Sequence, residues 1–121
     1  MDYKSTFETE SAAFPGVRFI VRRMSFGRRL DLMKRVKELA GRMDYFRAGA
    51  TAAERIEAAV LSAEIERLYL MWGLEAVDGL RIDGEPVDLA TFFESAPEAL
   101  CAEAVQAIKR ECGLTDDEQK N

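Results

Sequence analysis

The sequence predicts a mainly α protein with a small β-hairpin or sheet, an α+β class folded as one compact helical domain. Two observations predict it. Three long stretches carry apolar residues at three- and four-residue spacing, which is the period of a helix. Between the second and third stretches, residues 74–88 carry two Asp-Gly pairs among alternating apolar residues, which reads as a hairpin. The chain has 121 residues, 48% hydrophobic and 32% charged. That is enough to bury roughly two thirds of the surface an unfolded chain exposes. The composition is globular rather than disordered.

Residues 1–16 read as a flexible lead-in closed by Pro15-Gly16. The domain is expected over 17–113. In VRFIVRR, Val17, Phe19 and Val21 alternate with Arg18, Ile20 and Arg22, the period-two pattern of a short strand. Ser25 is placed as the N-cap of a first helix. Phe26, Leu30, Met33, Val36, Ala40 and Met43 form its apolar stripe, widened by Leu32, Leu39 and Phe46, and Gly49 marks its end. Thr51-Ala-Ala-Glu54 is a capping box opening a second helix. Ile56, Val60 and Ala63, then Leu61, Ile65, Leu68 and Trp72, read as two overlapping stripes on a central helix that Gly73 terminates.

Trp72 falls on the last turn of that helix, where its ring can cover the end of a core and offer its N–H to a carbonyl. A hairpin should turn near Asp83-Gly84, because glycine accepts positive φ and aspartate tolerates it. Its strands are expected to pair with the VRFIV strand, since an isolated hairpin is marginal. Asp88 caps a short helix, LATFFES. Phe92 and Phe93 are adjacent there, about 100° apart around the axis, so one of them is a candidate exposed anchor. Ser95-Ala-Pro-Glu98 reads as a second capping box, opening a last helix through Ala99–Cys112. Leu100, Cys101, Ala104, Val105, Ile108 and Cys112 should face inward. Residues 114–121 read as a polar, mobile tail.

Charge is unevenly placed. From Arg18 to Arg47 there are ten basic and three acidic residues, a local net of +7, which leaves −12 for the rest of a chain whose net charge is −5. Arg28, Arg35 and Arg42 recur every seven residues and, with Arg29, form the candidate basic surface of a nucleic-acid-binding regulator. The overall acidity weakens non-specific phosphate binding. Packing of the basic helix among acidic ones, within or between subunits, accounts for the split more simply.

Chemistry finds little to work with, so no catalytic residue, cofactor or metal is expected. There is no histidine, the commonest general base and metal ligand. No phosphate loop, dinucleotide glycine pattern or nucleophile elbow is present. Cys101 and Cys112, eleven residues apart on one helix, would lie roughly 16 Å from each other, beyond the ~7 Å reach of a disulfide. Two cysteines without histidine do not complete a zinc site. Asp83, Glu85 and Asp88 alternate like the start of a calcium loop but lack its later ligands, and read as a solvated turn. No apolar run approaches the ~20 residues of a membrane span. The N-terminus lacks the basic start and apolar run of a secretory signal, so a cytoplasmic location is expected.

From Trp72 to Ile108 the chain resembles small phage tail assembly chaperones. The resemblance lies in a helix ending near Trp72, the turn Asp83-Gly84-Glu85-Pro86-Val87, a short acidic helix, Pro97-Glu98-Ala99-Leu100 opening the last helix, and Ala107-Ile108 within it. It implies a protein of the host cytoplasm during phage assembly, absent from the finished virion. Such a protein would bind the long helical tape measure protein, keep it soluble and help recruit tail tube subunits. An apolar contact surface in many copies suits that role, and an acidic surface would keep the complex dispersed. The expected contact surface is the rim of Trp72, Leu74, Phe92 and Phe93, in a protein that forms homo-oligomers. The competing readings are the nucleic-acid-binding regulator and a structural phage or prophage protein.

Overall fold

A computed structural model describes residues 1–113. The polar tail expected over 114–121 lies outside the described residues. The class is α+β, with four helices, a three-stranded antiparallel sheet and a separate two-stranded hairpin among the described residues. The elements are β1 (Thr6–Glu10), β2 (Arg18–Arg22), α1 (Phe26–Arg47), α2 (Ala52–Gly73), β3 (Leu74–Asp78), β4 (Arg81–Ile82), β5 (Glu85–Pro86), α3 (Leu89–Ser95) and α4 (Glu98–Glu111). The chain groups into two compact units. Ser25–Trp72 is one, and the segments that flank it, Met1–Met24 and from Gly73 onward, form the other.

The sheet unit is ordered β1-β2-β3, all antiparallel. The N-terminal segment expected to be a loose lead-in holds an edge strand. β1 pairs with β2 over its whole length, Thr6 against Arg22 and Glu10 against Arg18. The sequence TFETE hides this strand because its pairing is made by the backbone. An edge strand needs few apolar side chains, and charge on it discourages pairing with other chains. β2 behaves as its alternation predicts, with Val17, Phe19 and Val21 buried. β3 contributes Leu74 and Val77, both buried although they are three residues apart. A bulge in the β2–β3 ladder, where Ile20 pairs with Ala76 and Val21 with Leu74, puts both on the inner face.

α4 packs across β2 and α3 lies beside β3. Phe92, Leu100, Ala104, Val105, Ala107, Ile108 and Cys112 complete this core. Cys112 is a buried thiol and Cys101 a half-buried one. Gly73 is needed for packing, since a Cβ there would lie 2.5 Å from Cγ2 of Ile108. The Asp83-Gly84 turn is as the sequence predicts, but the hairpin's strands β4 and β5 pair with each other, and the strand that joins β2 is β3, which precedes them. Asp83 has φ 52° and Gly84 φ 82°, positive at both central positions as a type I′ turn requires, and Ile82 pairs with Glu85 across it.

Three caps form where the sequence places them. Ser25 Oγ accepts from the Arg28 N–H. Thr51 and Glu54 satisfy each other's backbone N–H groups, at 3.1 and 3.4 Å. Asp88 accepts from the Thr91 N–H at 2.8 Å. The second capping box does not form. Ser95 is the last residue of α3, and Pro97 is the N-cap of α4 with no side-chain cap. A proline has no side-chain acceptor, so its carbonyl alone starts the helix, accepting from Leu100 and Cys101.

Candidate functional site

The helical unit is a two-helix hairpin. Residues 48–51 connect α1 and α2 at one end, and at the other Arg28 meets Trp72. The Arg28 guanidinium sits 4.9 Å from the centroid of the Trp72 ring, and its Nη2 donates to the Trp72 carbonyl oxygen. In this contact the ring receives a cation and the residue's own carbonyl is the acceptor. Nε of Arg28 is buried without a hydrogen-bond partner among the described residues, so the ring face is what compensates it. Beside this contact Asp31, Lys34, Arg35, Glu38 and Trp72 line an open groove.

This contact bears on the basic-surface reading. Arg28 is committed to Trp72, which removes the first member of the Arg28, Arg35, Arg42 repeat from any phosphate-binding stripe. Arg35 and Arg42 are exposed. Arg29, one residue from Arg28, lies about 100° from it around the helix.

The apolar surface of the hairpin is incompletely covered. On α1 only Leu32 is fully buried, while Met33, Val36, Leu39, Met43 and Phe46 are half-buried. Phe26 and Leu30, expected in that stripe, are exposed. On α2, Ala58, Leu61 and Tyr69 are buried, with Ile65, Leu68 and Trp72 half-buried beside them. Ile56, Val60 and Met71 are 65%, 49% and 56% exposed. The two α2 stripes therefore do not merge into one wide face. Ile56 and Ile65 are nine residues apart, so about 100° per residue sets them half a turn from each other. That arithmetic was the sequence signal for a second, outward face.

In the sheet unit the proposed rim separates into layers. Leu74 and Phe92 are buried in the core and unavailable to a partner. Leu74 points inward because it opens the bulged strand that covers Val21. Phe93 is the exposed member of its pair at 41%, its ring 6.2 Å from that of Phe92 and steeply inclined to it. Trp72, the fourth residue, closes the helical unit.

A polar constellation that sequence reasoning missed ties the N-terminal segment down. Glu103 on α4 accepts from the Ser11 hydroxyl at 2.7 Å, the Ala12 N–H at 2.9 Å and the Ala13 N–H at 3.3 Å. Ser11 is itself buried and accepts from the Phe14 N–H. The Ser11 hydroxyl bond, helped by the two amides and opposed by partial burial, holds the Glu103 carboxyl below its ordinary pKa. Asp88 is likewise held low, by the Thr91 N–H it caps. Arg23 lies over the Phe7 ring and approaches Glu111 at 3.8 Å, while Arg22 pairs with Glu75. These contacts are structural. Nothing in the sequence spacing announces Glu103, whose partners lie about ninety residues earlier.

Among the described residues no group of three or more His, Cys, Asp or Glu side chains is gathered as a metal would need. No helix among them is long and apolar enough to cross a membrane. No family model, no curated protein and no solved structure matches this chain.

Proposed function

We propose that this protein is a non-catalytic phage tail assembly chaperone of the host cytoplasm, which binds the tape measure protein and helps recruit tail tube subunits. The observation that carries the reading is the outward face of α2. Ile56, Val60 and Met71, with Ala63 between, run along a helix about 33 Å long. A two-helix unit cannot enclose both faces of such a helix. An apolar helix of a client laid against it would bury what is exposed. Phe93, backed by Phe92, offers a second apolar contact, and Trp72 remains half-exposed at the end of α2. The resemblance over Trp72–Ile108 supports the same reading. Its turn, its short acidic helix and its last helix are separate elements here, the hairpin at Asp83-Gly84, α3 and α4.

The test is co-expression with a tape measure protein from a related tail gene cluster. The full chain should carry it into the soluble fraction. Val60→Asp and Met71→Asp, at exposed positions, should return it to the pellet while leaving the circular dichroism spectrum unchanged. Solubility that ignores these substitutions and those of Trp72 and Phe93 would refute the reading. Recovery of salt-sensitive nucleic acid in place of the client would favour the regulator.

A further inference from the structure

We infer that the outward face of α1 docks the acidic segment Asp78–Glu98 of a second copy of this chain, giving a head-to-tail association. The face lies opposite Leu32 and consists of Phe26, Leu30, Lys34, Lys37, Gly41 and Tyr45, spaced by three or four residues. Phe26 and Tyr45 are 88% and 73% exposed, one at each end, with the two lysines between. α1 as a whole carries seven basic and three acidic residues. Arg22 and Arg23, which pair with Glu75 and Glu111, precede α1.

The occupant is argued from charge. Between Asp78 and Glu98 the chain carries Asp78, Asp83, Glu85, Asp88, Glu94 and Glu98 against Arg81 alone, and all six acids are exposed. Asp88 is occupied as a helix cap, and Arg81 donates to the Gly84 carbonyl. The exposed Phe93 sits within this acidic field and supplies the apolar anchor that a lysine-centred face flanked by Phe26 and Tyr45 can cover. The two surfaces are different, so each contact sets α1 of one copy against the acidic segment of another.

Its strength follows from its size. From Phe26 to Tyr45 the face runs about 28 Å along a helix about 11 Å wide. That is well below the ~800 Å² per partner of a stable complex. The association should therefore be weak and steeply dependent on salt, because its ion pairs are exposed.

The experiment is sedimentation velocity on the full chain from about 10 μM to about 1 mM, at low and high salt. The mean mass should rise with concentration at low salt and fall back at high salt. Lys34→Glu/Lys37→Glu and, separately, Glu85→Lys/Glu94→Lys should each weaken association at least about tenfold. An equimolar mixture of the two variants should associate again, since each retains the surface the other needs. A wild-type mass independent of concentration would overturn the inference, leaving the face to another protein. So would rising mass that neither variant changes. A lysine variant that the glutamate variant fails to rescue would mean an α1–α1 pair and overturn it too. Val60→Asp should leave this behaviour untouched, which separates it from client binding.

Discussion

The guanidinium of Arg28 lies over the indole of Trp72 and at the same time donates, at 2.7 Å, to the carbonyl oxygen of that residue. One side chain at the start of α1 thus satisfies a terminal carbonyl of α2 and places a cation at its negative end. Cation–π and charged hydrogen-bond contributions together suggest that Arg28→Ala costs about 1–3 kcal/mol. Arg28→Lys should fall between, keeping the charge but not the planar fork. Trp72 is the only tryptophan, so urea unfolding followed by its fluorescence reports both stability and environment. An unchanged midpoint and emission maximum would show that the contact contributes nothing.

Glu103 gives the chain a defined acid sensitivity. Its carboxyl is held below the ordinary value of 4.5 in the folded state. The contribution is therefore complete above that value and is lost as pH falls through the lower, folded-state pKa. Glu103→Gln should destabilise at neutral pH, and its stability gap to wild type should close on acidification. Exchange of the Ala12 and Ala13 amide protons should lose protection over the same interval. A gap that stays constant with pH would remove Glu103 from this role.

Gly79 and Gly84 both adopt positive φ, yet their substitution should differ. A Cβ at Gly79 would lie 2.1 Å from the Gly16 carbonyl oxygen, a backbone atom, whereas one at Gly84 meets nothing within 4 Å. Gly84→Ala should cost about 1–2 kcal/mol, the backbone term alone. Gly79→Ala adds a backbone clash and should cost clearly more. Thermal unfolding of the two variants decides, and equal losses would rule out the close approach of Gly16.

Gly73→Ala drives a methyl into Ile108, with 2.5 Å to its Cγ2. Overpacking of this kind costs about 1–3 kcal/mol. Ile108→Ala should relieve part of it, so the double variant should be more stable than the two separate losses predict. Additive losses would place the two residues apart.

Local chemistry was readable in the sequence where a single short pattern suffices. The Asp83-Gly84 turn, the Thr51 and Asp88 caps, the alternation around Phe19 and the split between Phe92 and Phe93 each depend on neighbours within a few residues. What was not readable depends on distant partners. β1 exists because β2 lies beside it, and TFETE carries no such signal. Leu74 and Val77 break the period of a strand, and only the register against Ile20 and Val21 shows that a bulge reconciles them. Leu74 and Phe92 looked like surface anchors because burial is decided by packing. The outward α2 face was latent in its spacing, but apolar residues all round a helix read first as a buried one.

The sheet unit is interrupted in sequence by the helical hairpin, and this matters while the chain is being made. β1 and β2 leave the ribosome first, and β2 then presents one edge without its partner. β3 follows only after Arg23–Gly73 has been synthesised. At ordinary elongation rates that wait is about 3–10 s. During it the Phe19 and Val21 side chains have neither β3 nor α4 to cover them. Helical turns need only local contacts and form far faster than elongation, so α1 can form while β2 still lacks its partner strand.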